Sequence, residues 1–228
     1  MTDSILQFEA VTLPAADAYD QEVAGLDFAL RAGDCLLVAV EDERPCPPLA
    51  DAAEGLLEPS AGRVLMHGAD WQEMSPDESS LRRSRIGRVF ESQAWLSNLD
   101  VDENVTLAQR HHARRSEAEI REEAVRWVQR FGRDALPAMR PAWAPRHELI
   151  IAQWVRALLG EPELLIMERA TRDATHEECA QLVEAAEEHR RRGAALIWLS
   201  SDERFLNNQS LAPTVRAKMK GERWEIVG

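Results

Sequence analysis

Cysteine is scarce in this sequence: Cys35, Cys46 and Cys179 are the three present, and none stands at a paired spacing. A disulfide framework is thereby excluded, and free thiols in a reducing compartment are expected. No run is apolar over transmembrane length and no secretory signal is recognisable, so the expectation is a cytoplasmic chain that reaches a membrane only through a partner. Positive charge is in short supply. With 27 Lys and Arg against 40 Asp and Glu, the formal net charge is −13, which opposes unspecific nucleic-acid binding because nothing offsets phosphate repulsion. Tyrosine occurs once, at Tyr19, against seven tryptophans. Trp71, Trp127, Trp154 and Trp198 fall in apolar patterns and are expected in the core. No repeat or low-complexity linker divides the 228 residues, so a single domain over 1–228 is expected.

What is present alternates between short apolar runs and amphipathic stretches. Ile5 to Val11 and Gly25 to Leu30 read as strands, as do Leu36 to Val40, Val64 to Met66, Ile86 to Phe90, Leu164 to Met167 and Ala194 to Leu199. Capping boxes at Ser116/Glu119 and Thr175/Glu178 open two helices, the second ending in arginines before Gly193. His147 to Leu159 carries an apolar stripe at helical spacing, Ser75 to Arg85 reads as a charged surface helix, and Met139 to Pro145 must be a loop. The order implies an α/β fold, β-rich and antiparallel early, with a largely parallel sheet from residue 86 onward.

The stretch Leu36 to Leu57, LLVAVEDERPCPPLADAAEGLL, has the frame of a phosphate-binding loop: a buried strand, a connection, and a helix expected over Leu49 to Leu57. Such loops carry G-x-x-x-x-G-K-S/T, in which backbone N–H groups cradle phosphates, the Lys neutralises them and the hydroxyl holds Mg²⁺. Here the span between the two glycines falls on Val40 to Pro45, the Lys position on Cys46 and the hydroxyl position on Pro47. Pro45, Pro47 and Pro48 remove three N–H donors, and Glu41, Asp42 and Glu43 add negative charge where a polyanion would rest.

With these elements placed, the chain resembles the ATP-binding-cassette (ABC) family of transporter ATPases over nearly its whole length. The resemblance is carried by GLDFALRAGD before the central strand, EGLLEPSAGRVLMHGADW after its helix, RRSRIGRVF, and VRALLGEPELLIM. VFESQAWLSNLDVDENV looks most like the Q-loop region of cassettes serving MCE-type lipid transporters. The resemblance implies an ABC-type P-loop NTPase fold: a mostly parallel α/β core, an N-terminal antiparallel β subdomain, and a helical subdomain over about 92–160.

Residue by residue, the family's functional positions hold other side chains. The Q-loop Gln is matched by Glu91, and LSGG by Ala144, Pro145, Arg146 and His147. The metal-orienting Asp is matched by Glu168, the catalytic Glu by Arg169, the switch His by Ser201, and the D-loop SGLD by Arg172 to Thr175. Tyr19 matches the adenine-stacking aromatic only loosely, and a loop residue without that role is the competing reading. The expectation is therefore a pseudo-ATPase with no catalytic residue, no bound cofactor and no metal. Glu91 and Glu168 alone are too few oxygen ligands for a hard cation, and His111 and His112 read as a solvated polar pair.

Arg169 is expected to pair with Glu41, Asp42 or Glu43, replacing the charge that nucleotide would balance, or else all four are solvated. The partners implied are an ABC permease in the inner membrane and a second cassette, either another subunit or a copy of this chain, with no nucleic acid. Trp95, Leu96, Leu99 and Val101 are the candidate permease contacts, set against local core packing. Three functions compete: a non-hydrolysing structural or regulatory subunit of an ABC transporter, with lipid as the suggested cargo; a divergent active ATPase; and a soluble scaffold derived from the fold.

Overall fold

A computed structural model describes residues 4–15, 19–112, 115–207 and 211–227. The first strands are β1 (Ser4–Leu13), β2 (Val23–Arg31) and β3 (Cys35–Ala39), followed by α1 (Leu49–Ala53), β4 (Ala61–Met66) and β5 (Ala69–Asp70). Then come α2 (Pro76–Arg83), β6 (Ile86–Val89), α3 (Val101–His112), α4 (Glu117–Arg130) and α5 (Arg146–Leu158). The chain continues through β7 (Leu164–Glu168), α6 (His176–Arg191), β8 (Ala195–Ser200), α7 (Glu203–Leu206), β9 (Val215–Lys220) and β10 (Arg223–Ile226).

The ten strands form one mixed sheet in the order β5-β4-β1-β2-β10-β9-β3-β8-β7-β6. From β9 through β3, β8 and β7 to β6 every neighbour is parallel, whereas β1, β2, β4 and β5 pair antiparallel. Strand alternation divides the core into two clusters, one on each face. Leu37, Leu165, Met167, Leu196 and Trp198 join α3 to α6 on one side. Leu36, Val38, Leu164, Ile166, Ile197 and Leu199 join α1 and the antiparallel strands on the other. Apolar residues are therefore needed at consecutive positions in the central strands, which explains their unbroken hydrophobic runs.

Both predicted capping boxes are present, with Ser116 and Thr175 each accepting from the backbone N–H three residues on. Trp71, Trp127, Trp154 and Trp198 are all buried, as expected. The helix after β3 is shorter than the sequence pattern implies: it stops at Ala53 rather than Leu57. Gly55 adopts φ +64°, and a Cβ there would lie 2.5 Å from the Trp71 ring, so the chain turns where the tryptophan closes over it. On the helical side, Gly87 lets α5 press onto β6, since a Cβ would come within 1.8 Å of the Ala157 carbonyl.

Candidate functional site

The carboxyl ends of β3, β6, β7 and β8 lie along one rim of the parallel sheet, the edge at which open α/β sheets place ligands. Four connections meet there: residues 40–48 after β3, Phe90 to Trp95 after β6, Glu168 and Arg169 at the end of β7, and Ser200 and Ser201 at the end of β8. The structure thus brings together Val40, Pro45, Cys46, Pro47, Glu91, Glu168, Arg169 and Ser201. Arg146 and His147 stand apart in the first turn of α5; Arg146 pairs with Asp173, and His147 lies 3.2 Å from Glu148.

Arg169 is the hub. Its side chain is only 4% exposed, and its backbone takes φ +45°, held by its N–H donating to the Leu199 carbonyl at 2.9 Å. The guanidinium forms an ion pair with Glu91 and donates to the carbonyls of Glu41 and, at 2.5 Å, Arg44. The expected carboxylate partners are therefore corrected: Arg169 reaches the 41–44 segment through main-chain oxygens, and its counter-charge comes from Glu91. The other oxygen of Glu91 accepts the Cys46 N–H at 2.7 Å. One carboxylate thereby fixes both the arginine and the loop.

Both ends of this loop are tied by their N–H groups. Val40 N–H goes to the Ser200 carbonyl at 3.0 Å, Cys46 N–H to Glu91, and Leu49 N–H to the Pro47 carbonyl at 2.7 Å. Pro45, Pro47 and Pro48 have none to give. What converges on the centre of the loop is a cation flanked by carbonyl oxygens, the reverse of an anion-binding nest of N–H groups.

A second cation lies deeper. Arg88, in β6 and 7% exposed, donates to Glu168 at 2.8 Å, to Asp51 at 2.6 Å and to Glu54 at 2.7 Å, with its guanidinium 4.4 Å over the Phe90 ring. It ties the end of β7 to α1. Burial works against its charge, but Glu168, Glu54 and Asp51 outweigh this and hold its pKa above the ordinary arginine value. Burial pushes the Glu168 and Glu54 carboxyls up despite Arg88. The directions agree, because one guanidinium faces three carboxylates. The Cys46 thiol, raised by burial and by nearby Glu91 and Glu168, stays protonated.

At the solvent rim Arg172 lies 2.9 Å from Asp42, and the Ser201 hydroxyl donates to the same carboxylate oxygen at 2.8 Å. These two contacts hold the Asp42 carboxyl below its usual range. With Arg169, Thr171 and Asp173 they border a recess of about 380 Å³. Among the described residues no group of three or more His, Cys, Asp or Glu is arranged to hold a metal ion. Tyr19 is buried, and its hydroxyl donates to the Gly221 carbonyl at 2.7 Å.

Sequence reasoning missed Arg88, Asp51 and Glu54. The available signal was a charged residue inside IGRV, since an arginine in a buried strand requires partners. Of the candidate partner contacts, Val101 is corrected: it is fully buried at the start of α3 and belongs to the core. Trp95 is half-buried, with the Arg156 guanidinium 4.5 Å over its ring. Leu96 is 48% exposed. Leu99 lies between these extremes.

No protein-family model matches the chain. Among curated proteins it is 27% identical over 162 residues to the phosphonates import ATP-binding protein PhnC of Alcaligenes faecalis, a match covering 67% of this chain and 58% of PhnC. It is 25% identical over 152 residues to the lipoprotein-releasing system ATP-binding protein LolD of Psychrobacter arcticus, covering 66% and 67% of the two chains. The chain thus spans less than two thirds of PhnC's length. Among solved structures, an ATP-binding subunit of an ABC transporter superposes with a TM-score of 0.80 at 17% identity, covering 98% of this chain and 90% of the other. The dimeric cassette MJ0796 bound to ADP and Pi superposes at 0.77 and 16%, covering 97% and 98%. The homologues of this chain are ATP-binding subunits of ABC transporters, and its fold is that of the ABC cassettes, an α/β fold of the P-loop NTPase class.

Proposed function

We propose that this chain is a non-hydrolysing cassette subunit of an ABC transporter, a structural or regulatory component that binds no nucleotide at the rim of its parallel sheet. The observation that carries the reading is the Arg169 guanidinium, ion-paired with Glu91 and donating to the carbonyls of Glu41 and Arg44. ATP binding at such a rim needs a cradle of N–H groups, a lysine and a hydroxyl for Mg²⁺. Here the cradle offers carbonyls, and Cys46 and Pro47 stand at the lysine and hydroxyl positions of the motif. The residues present do not fit MgATP.

The subunit acts from the cytoplasmic face of the inner membrane, docked beneath a permease and paired with a second cassette. Leu96, with Trp95 and Leu99 behind it, is the permease contact. Lipid cargo is supported by the Q-loop-like stretch at residues 89–105. The names of the relatives include phosphonates and lipoproteins among their cargoes.

Calorimetric titration of the purified chain with MgATP, alongside a competent cassette, tests the proposal: no saturable heat at millimolar nucleotide is expected, and saturable binding overturns it. A second reading, a divergent ATPase, is favoured by one feature, the carboxylate of Glu168 at the end of β7. MgATP turnover abolished by Glu168→Gln would establish that reading instead.

A further inference from the structure

On the helical side, well away from the strand rim, an open groove of about 580 Å³ lies between α4, the turn after α5 and the last turn of α6. Four arginines line it, Arg115, Arg126, Arg130 and Arg192, in a chain whose net charge is −13. Three of the four are held in place by carboxylates. Arg115 pairs with Glu123, while Arg130 and Arg192 share Glu188. Arg130 also lies with its guanidinium 5.2 Å over the Trp127 ring, which fixes its plane. Arg126 is exposed and pairs with no carboxylate among the described residues.

Two features make this more than a lattice of surface ion pairs. First, a guanidinium has five N–H donors and one carboxylate engages at most two of them, so each paired arginine keeps donors free. The pairs therefore orient the forks without exhausting them. Second, four guanidiniums face three carboxylates along the groove, Glu123, Glu161 and Glu188, with Glu184 3.8 Å from Arg130; Glu188 serves two of the guanidiniums, and the contacts of Arg130 and Arg192 hold its carboxyl below the usual range. Arg126 adds a cation with no internal counter-charge.

We infer that this groove is a binding site for a phosphate-bearing anion. A phosphate group presents more acceptor oxygens and more charge than a carboxylate, up to two negative charges, so it can engage several guanidinium forks at once. Arg126 and Arg192 supply the primary contacts, and Arg115 and Arg130 complete the ring. The site shares no residue with the Arg169 cluster, and the length of α6, about 24 Å for its sixteen residues, separates the two.

The test is calorimetric titration of the full chain with inorganic pyrophosphate at constant ionic strength, comparing wild type, the double variant R126A/R192A, and R172A as a control at the strand rim. All three substituted positions are exposed, and circular dichroism checks that the fold is kept. Saturable pyrophosphate binding that weakens about tenfold or more in R126A/R192A and is unchanged in R172A supports the assignment. Co-sedimentation with phosphatidylcholine vesicles carrying phosphatidic acid, lost in the same double variant, would identify a lipid headgroup as the source of the phosphate, whereas pyrophosphate binding without it would identify a soluble ligand. Absence of binding to pyrophosphate and vesicles alike, or binding that the double variant leaves intact, overturns it.

Discussion

Arg169 and Glu91 form an ion pair across the end of the parallel sheet, joining the first residue after β7 to the second residue after β6. Because the second oxygen of Glu91 accepts the Cys46 N–H at 2.7 Å, the pair also fixes the loop after β3. Arg169→Ala leaves Glu91 half-satisfied and strips two carbonyls of their donor. Removing one partner of such a buried pair typically costs about 3–5 kcal/mol. The double variant Arg169→Met with Glu91→Gln is expected to recover most of that loss. Urea unfolding of the single and double variants checks this, and equal losses in both would show that the pair is not coupled.

The Arg88 cluster gives a pH dependence of definite sign. Burial raises the Glu54 and Glu168 carboxyls above the ordinary 4.5, so the folded state binds these protons more tightly than the unfolded state. Their contribution to stability is present in full below the unfolded value and is lost as pH rises through the raised folded value. Glu54→Gln removes this titration while keeping a polar partner for Arg88. The variant should therefore lose more stability relative to wild type near pH ~4.5 than near pH ~7.5. Melting curves at the two pH values decide it, and a larger loss at neutral pH would contradict the argument.

Arg156 clamps the stretch after β6. It donates to the Gln93 carbonyl at 2.7 Å and to the Ala94 carbonyl at 3.1 Å, and these residues stand at φ +66° and +45°. Its guanidinium lies between the Phe90 and Trp95 rings, and burial without a carboxylate lowers its pKa to about 10. Arg156→Ala should speed amide hydrogen exchange across residues 93–99 while leaving α6 protected. Ala94→Gly, which relieves a left-handed non-glycine residue, is expected to be stabilising by about 0.5–1 kcal/mol.

Leu96 and Val101 should part company under the same substitution. Leu96→Asp, at a residue 48% exposed, is expected to stay within about 0.5 kcal/mol of wild type in stability and to abolish co-purification with the proposed permease partner. Val101→Asp buries an unpaired carboxylate at a fully enclosed site and should prevent folding. A Leu96→Asp chain that folds and still co-purifies with a permease would remove the proposed docking contact.

The local elements were legible in the residues because they depend on near neighbours. Capping boxes at Ser116 and Thr175 need only a glutamate three residues on, and the central strands announce themselves because both sheet faces are covered. β5, α3, α7, β9 and β10 escaped, and two of them show why. In α3 the buried positions include Asn104 and Thr106, so no apolar stripe marks it, and β9 exposes every other residue, with only Ala217 and Met219 buried.

The candidate site divides along the same line. The sequence alone determined which side chains stand at each connection of the sheet rim, including three prolines, an arginine at position 169 and acids at 91 and 168. It could not assign their partners, because Arg169 and Glu91 are 78 positions apart and Arg88 and Glu54 are 34 apart. Ion pairing falls off with distance in space, not along the chain. Only the packing of β6 beside β7, and of α1 against the sheet, decided that Arg169 would take Glu91 and two carbonyls, and that Arg88 would hold three carboxylates.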